Sequence, residues 1–187
     1  MATNDVVLGG GRATGMFYHA PAGTALPAYP GESLDPAWVE VGDVSEDGIT
    51  YSPAHSFETL KNWANKVVRL LPGSDSQTVK AALMDTTEEV FKTIFGDDQV
   101  TVTPATSTHG KLISVDTDSN ITPVEEAYLF VMKDGDNRML IGTTHGYISE
   151  ISDIGFKATE AINWEATITA SDKWVIIDDN GQTTEES

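Results

Sequence analysis

A chain of 187 residues with 40% hydrophobic side chains is long enough to bury one domain core, with extended ends or a small appendage to spare. It contains no cysteine, which excludes a disulfide framework, zinc–thiolate sites and a cysteine nucleophile. Its net charge of −18, from 29 acidic and 11 basic residues, would repel the phosphates of duplex DNA instead of releasing their counterions.

The basic residues are unevenly placed, with none between Arg12 and Lys61. No run reaches the length of a transmembrane helix, and Met1-Ala2-Thr3-Asn4-Asp5 has neither the basic nor the apolar region of a signal peptide, so no membrane contact and a cytoplasmic site of synthesis are expected. Residues 1–37 hold Gly9-Gly10-Gly11 and four prolines, a density that opposes both helix and central strand. They are expected to form an extended arm that is ordered only against a neighbour. A patterned β-domain is expected over 38–177, and a polar, acidic tail over 178–187.

The first patterned stretch runs from Trp38 to Tyr51, where two short alternating runs flank Asp47-Gly48. This predicts a hairpin, with Gly48 supplying the positive φ of the turn. Phe57 to Trp63 is ambiguous between helix and strand. Lys66 to Leu71 reads as a strand before Pro72-Gly73, and Thr78 to Met84 alternates, with Val79, Ala81 and Leu83 on one face. Thr86 to Phe95 predicts the one helix, with Thr86 as cap, Glu89 completing a capping box and Gly96 as the stop. Its apolar face, Val90, Phe91, Ile94 and Phe95, is too short to be stable alone and must dock on a sheet.

Further strands are predicted over 99–103, 111–115, 124–133, 138–148, 159–170 and 174–177, with a turn at Lys133 to Asn137. Tyr128 to Met132 is apolar on both faces and asks for cover on both, for which a subunit interface is the expectation. In Thr159 to Ala170, Ile162, Trp164, Ala166, Ile168 and Ala170 share one face; Asn163, Glu165, Thr167 and Thr169 share the other. The fold class is therefore mainly β, a sandwich or partly closed barrel flanked by one short helix, with an extended N-terminal arm.

Signatures of chemistry are weak. His19, His55, His109 and His145 have no metal-ligand spacing. Asp134-Gly135-Asp136-Asn137 lacks the later ligands of a calcium loop and fits a turn better. Gly9-Gly10-Gly11 is followed by no Gly-Lys-Ser/Thr, and Ser45, Ser52 and Ser56 near His55 sit in no Gly-x-Ser-x-Gly elbow. Glu88-Glu89 and Glu125-Glu126 do not read as a glycosidase pair. No catalytic residue, cofactor or metal ligand is expected. Among the tryptophans, Trp164 reads as core, and Trp38, where arm meets domain, as an interface anchor.

The order of elements is more specific than any one of them. An arm with Ala20-Pro21-Ala22-Gly23-Thr24-Ala25-Leu26-Pro27 precedes Gly42-x-Val44-Ser45-x-Asp47-Gly48, then strands, then a helix ending in Phe95-Gly96. This order resembles the major tail tube proteins of long-tailed bacteriophages, over residues 13–104 in order and beyond them by strand pattern. The resemblance implies a structural virion protein made in the host cytoplasm. It implies six-subunit rings stacked into a hollow tail tube whose joined inner strands line a lumen for DNA ejection. The implied partners are further copies of the chain and the tape measure, tail terminator and tail tip proteins; DNA passes without being bound. Contacts between subunits are expected at Phe17, Tyr18 and Leu26 of the arm, at Trp38, and at Glu46, Asp47 and Tyr51 of the hairpin. The polar face Asn163, Glu165, Thr167 and Thr169 is expected to line the lumen. The alternatives are a tube subunit of a related bacterial injection system and a monomeric ligand-binding β-sandwich.

Overall fold

Alternation of Val79, Ala81 and Leu83 with Thr78 and Lys80 sets a strand with one face in the core. In the computed structural model, which describes residues 17–53, 57–72, 76–117, 123–134, 137–159 and 162–179, this strand is β6 (Gln77–Leu83). It is flanked by β3 (Val44–Pro53) and β11 (Trp164–Ala170), both antiparallel to it. The sheet continues through β10 (Asn137–Ile151), β9 (Glu126–Asp134) and β1 (Phe17–Pro21) to β2 (Val39–Gly42). The long β10 is paired on one side by β11 along its second half and by β12 (Val175–Asp179) along its first. Two small hairpins lie outside this eight-stranded sheet: β4 (Phe57–Lys61) with β5 (Val67–Pro72), and β7 (Val100–Thr103) with β8 (Leu112–Val115).

The two edge strands, β2 and β3, are separated in sequence by Asp43 alone. Consecutive Cα atoms lie about 3.8 Å apart, so the two edges meet at this corner and the sheet curls into a partly closed barrel. Asp85 pins the corner: its carboxylate accepts the Asp43 N–H at 2.8 Å, and the Met84 N–H bonds the Asp43 carbonyl at 3.2 Å. A Cβ at residue 42 would stand 2.6 Å from the same carboxylate oxygen, so only glycine allows the approach.

The hairpin expected at Asp47-Gly48 is therefore absent: β2 pairs with β1, β3 with β6, and the two do not pair with each other. Gly48 does take a positive φ, 69°, but uses it in a bulge, where β3 slips against β6 between Val44 and Ile49.

The expected arm is also different over its described part. Residues 17–21 are an inner strand of the sheet, paired on both sides, and the proline-rich stretch after them lies on their own subunit. Gly23 N–H bonds the Thr144 carbonyl at 2.8 Å, and the Trp38 indole N–H bonds Ala25 O at 3.3 Å. This stretch covers one face of β9: Leu129 and Leu140 pack with Ala20 and Trp38, with Tyr18, Leu26 and Leu34 beside them. Tyr128 and Phe130 face the other way, into the main core with Phe17, Ile141 and Trp174. The cover that Tyr128 to Met132 demands thus comes from the same chain, not from a neighbour. Residues 1–16, 135–136 and 180–187, which hold the start of the arm, the centre of the turn and most of the tail, lie outside the described residues. Strand pairing runs past 177: Asp178 and Asp179 of β12 face Met139 and Arg138.

The helix is α1 (Glu88–Phe95), capped by Thr87, whose hydroxyl accepts the Val90 N–H at 3.3 Å. Thr86, the expected cap, instead accepts the Trp164 indole N–H at 3.4 Å. Val90, Phe91, Ile94 and Phe95 are buried as the periodicity requires. Phe91 meets Trp164 edge to face, ring centroids 4.8 Å apart. Strand β11 begins at Trp164 rather than 159, with Ile162 and Asn163 outside it.

Because Phe91 fills the space between helix and sheet, Phe91→Ala is expected to cost about 3–5 kcal/mol of unfolding free energy. Denaturant titration checks this; a loss below about 1 kcal/mol would place the ring outside the core.

Candidate assembly surface

The hairpin β4–β5 is inserted between β3 and β6, where Pro53 and Gln77 are cross-strand neighbours. Its turn is built by asparagine. The Asn62 side-chain oxygen accepts the N–H groups of Ala64 and Lys66, each at 3.0 Å. The Asn65 N–H bonds Asn62 O at 2.9 Å, and Asn65 itself sits at φ 58°, a conformation that asparagine tolerates. The turn lifts Trp63 wholly into solvent.

Every residue from Phe57 to Leu70 is exposed. Phe57 at 69%, Val68 at 63% and Leu70 at 62% are joined by Leu60, Trp63 and Val67. Cross-strand pairing puts Phe57 and Thr59 with Leu70 on one face, and Glu58 and Leu60 with Arg69 and Leu71 on the other. Apolar side chains therefore stand on both faces, and a two-stranded hairpin has no core of its own to bury them in. A patch of this kind marks a surface that another molecule covers. It is also basic: Lys61, Lys66 and Arg69 outnumber the single acid Glu58, in a chain whose net charge is −18.

A second surface is the outer, polar face of β3, β6, β11 and the end of β10. Ser52, Thr78, Thr169 and Tyr147 are successive cross-strand neighbours, as are Thr50, Lys80 and Thr167. Lys80 is paired with Glu165 at 2.9 Å, and hydrogen bonds from Ser152 and Lys80 hold the Glu165 carboxyl below the usual carboxylate range. The Thr169 hydroxyl donates to Ser149 Oγ at 2.7 Å. Of the residues expected to line a lumen, Glu165, Thr167 and Thr169 are gathered here, half-buried; Asn163 is exposed just before the strand.

The residues expected between subunits fall differently. Phe17, 2% exposed and stacked on Phe130 at 4.5 Å, lies in the core of one subunit, as does Trp38 in the smaller cluster. Tyr18 and Leu26 flank that cluster. The early sequence position of these residues suggested an arm, but β9 needs them as its second cover. Tyr51 is half-buried on β3 and hydrogen-bonded to Gln77 at 3.1 Å. Glu46 and Asp47 lie in the bulged part of β3, and their side chains are outside the described residues. The exposed hairpin was missed; its signal was an apolar run of uncertain period carrying the first basic residues after Arg12.

The imidazoles are dispersed: His19 lies 3.3 Å from Glu126, and His145 lies 3.8 Å from Glu125. His55 lies outside the described residues. Among the described residues no group of three His, Cys, Asp or Glu is placed to hold a metal, and no helix is long and apolar enough to cross a membrane.

The architecture is a curled half-barrel with one docked helix and an exposed apolar hairpin. The family of phage tail tube proteins matches residues 1–177, and the chain belongs to it. No curated protein matches in sequence. Similar solved structures include the sheath–tube complex of an extracellular contractile injection system, PVC, in its extended state, at 12% identity, over 87% of this chain and 88% of that one, with a TM-score of 0.41. The tail of an empty GTA particle with C6 symmetry is similar at 11% identity, over 86% and 92%, with a TM-score of 0.39. The anti-feeding prophage cap is similar at 11% identity, over 94% and 98%, with a TM-score of 0.40.

Glu88 fastens α1 to the β7–β8 hairpin by receiving Lys111 at 2.6 Å, and it also receives Lys92 of its own helix at 2.7 Å. These hydrogen bonds, from Lys111 first, lower the Glu88 pKa from 4.5 to about 2. A carboxylate whose pKa is depressed by folding adds stability that is present above the unfolded value and lost as pH falls through the folded one. Between about pH 4.5 and about 2, wild-type Tm is therefore expected to fall more steeply than that of Glu88→Gln. Parallel profiles in thermal melts would show that the two lysines contribute nothing to folding.

Proposed function

We propose that this tail tube protein assembles into six-subunit rings that stack into a hollow tube, and that the tube conducts the genome at ejection. The observation that carries the reading is the β4–β5 hairpin: its exposed residues are apolar on both faces and lack cover within the subunit. Copies at −18 each repel one another, so their association must rest on apolar burial of this kind. Family membership supports the ring-and-stack form. In it, tape measure, terminator and tip proteins meet the tube within the virion tail, and subunits assemble in the host cytoplasm.

The polar face of β3, β6, β11 and the end of β10 is the lumen wall in this reading. Thr50, Ser52, Thr78, Thr167 and Thr169 hold a hydrated layer, and Lys80 is neutralised by Glu165, so little on this face would retain phosphates. Asn163 extends the polar set at the start of β11. The residues Tyr18, Leu26, Glu46, Asp47 and Tyr51 flank neighbouring subunits in the ring.

Electron microscopy of the purified protein is expected to show tubes. Joining Pro53 to Gln77 through a tight turn removes the hairpin between two paired residues. That variant is expected to keep its Tm within a few degrees and to form no tubes. A wild-type protein that stays monomeric at high concentration, or a shortened variant that polymerises as well, would overturn the proposal. The chain has no native cysteine, so Thr167→Cys in tubes reports the lumen directly. A small thiol reagent is expected to label it and a bulky one to fail; equal rates would put this face on the outside.

A further inference from the structure

We infer that the β4–β5 hairpin of one copy seats in an open acidic cavity at the C-terminal end of α1 of a neighbouring copy, with Trp63 entering the cavity and Lys66 and Arg69 meeting Asp97 and Asp98. The inference rests on the tube reading and gives its contact a second half.

The cavity has a volume of about 500 Å³, within the range that accepts a large side chain or small ligand. Its apolar lining is Ile94, Phe95, Tyr128 and Ile148, and its acidic groups are Asp97, Asp98 and Glu126. Val124, 57% exposed, stands at the same site as an apolar contact without cover. Lys92 also lines it, with its ammonium 2.7 Å from Glu88, and Asp97, Asp98 and Glu126 outnumber it. The cavity thus sets an excess of acids beside exposed Val124 and half-buried Ile148, against the hairpin's apolar surface carrying Lys61, Lys66 and Arg69.

A second copy is the occupant that fits. The chain's own acidic end, with Glu185 and Glu186, would be repelled, whereas the hairpin concentrates three of the chain's 11 basic residues. The hairpin cannot be serving its own subunit, since every residue from Phe57 to Leu70 is exposed there. It leaves the sheet at the Pro53–Gln77 end of the β3–β6 pair, while α1 follows from the Leu83 end. Donor and acceptor surfaces are therefore different, and a contact between different patches propagates from copy to copy instead of closing a dimer.

The test uses the full chain, which has no cysteine to interfere. Lys66→Cys combined with Asp98→Cys, oxidised after assembly, is expected to give a ladder of covalent multimers on a non-reducing gel; either cysteine alone stops at dimers. In parallel, Lys66→Glu with Arg69→Glu is expected to lower the pelletable tube at least about tenfold, through like charges placed together. Adding Asp97→Lys and Asp98→Lys should restore it. Tubes from the unsubstituted chain with neither ladder nor rescue would overturn the seating and leave the tube reading standing. An unsubstituted chain that forms no tubes would overturn both.

Discussion

One residue separates the two edges of the main sheet. Asp43 links β2 to β3, and the Asp85 carboxylate holds that link by its backbone N–H. The curl of the barrel, its concave core and the seat of α1 follow from this closure. A flat sheet would leave the edges apart, and the helix would have nothing to bury Phe91 and Trp164 between. The pin is an oriented hydrogen bond to a carboxylate oxygen, and it depends on glycine at 42 to admit that oxygen.

The folding core and the hairpin proposed for association lie on separate parts of the chain. The core draws on both faces of β9, which is why a proline-rich segment that looks dispensable is built into the domain: Ala20, Leu26, Leu34 and Trp38 cover Leu129 and Leu140. The hairpin lies outside this economy. It hangs from two strands that are already paired beneath it, so its apolar residues are free to answer to another molecule rather than to the core.

Legibility in the sequence followed the range of the interactions. The helix was readable because its determinants are local: a threonine cap, acids in the first turn, an apolar face and Gly96; only the choice between Thr86 and Thr87 depended on Trp164 across the fold. β6 and β11 were readable from alternation. Pairing was not, since alternation shows which face a residue takes and never which strand lies beside it. That is why Asp47-Gly48 read as a hairpin when it is a bulge: a positive φ suits both, and the distinction lies in β6. The same limit placed Phe17 and Trp38 at a surface, because the cover that Leu129 requires can come from any segment. The polar set at Glu165, Thr167 and Thr169 was correct as a face. The hairpin was hardest to read: periodicity reports burial, and its apolar residues are not buried.

An apolar hairpin on a monomer is a hazard before it is a joint, because strands rich in valine, leucine and aromatic residues also nucleate disordered aggregates. Lys61, Lys66 and Arg69 sit among those residues as gatekeepers, charged side chains that discourage two hairpins from stacking on each other. Like hairpins repel and acidic surfaces repel, whereas the proposed seating brings unlike charges together. Charges placed in this way disfavour disordered clumping of the hairpins without opposing an ordered contact.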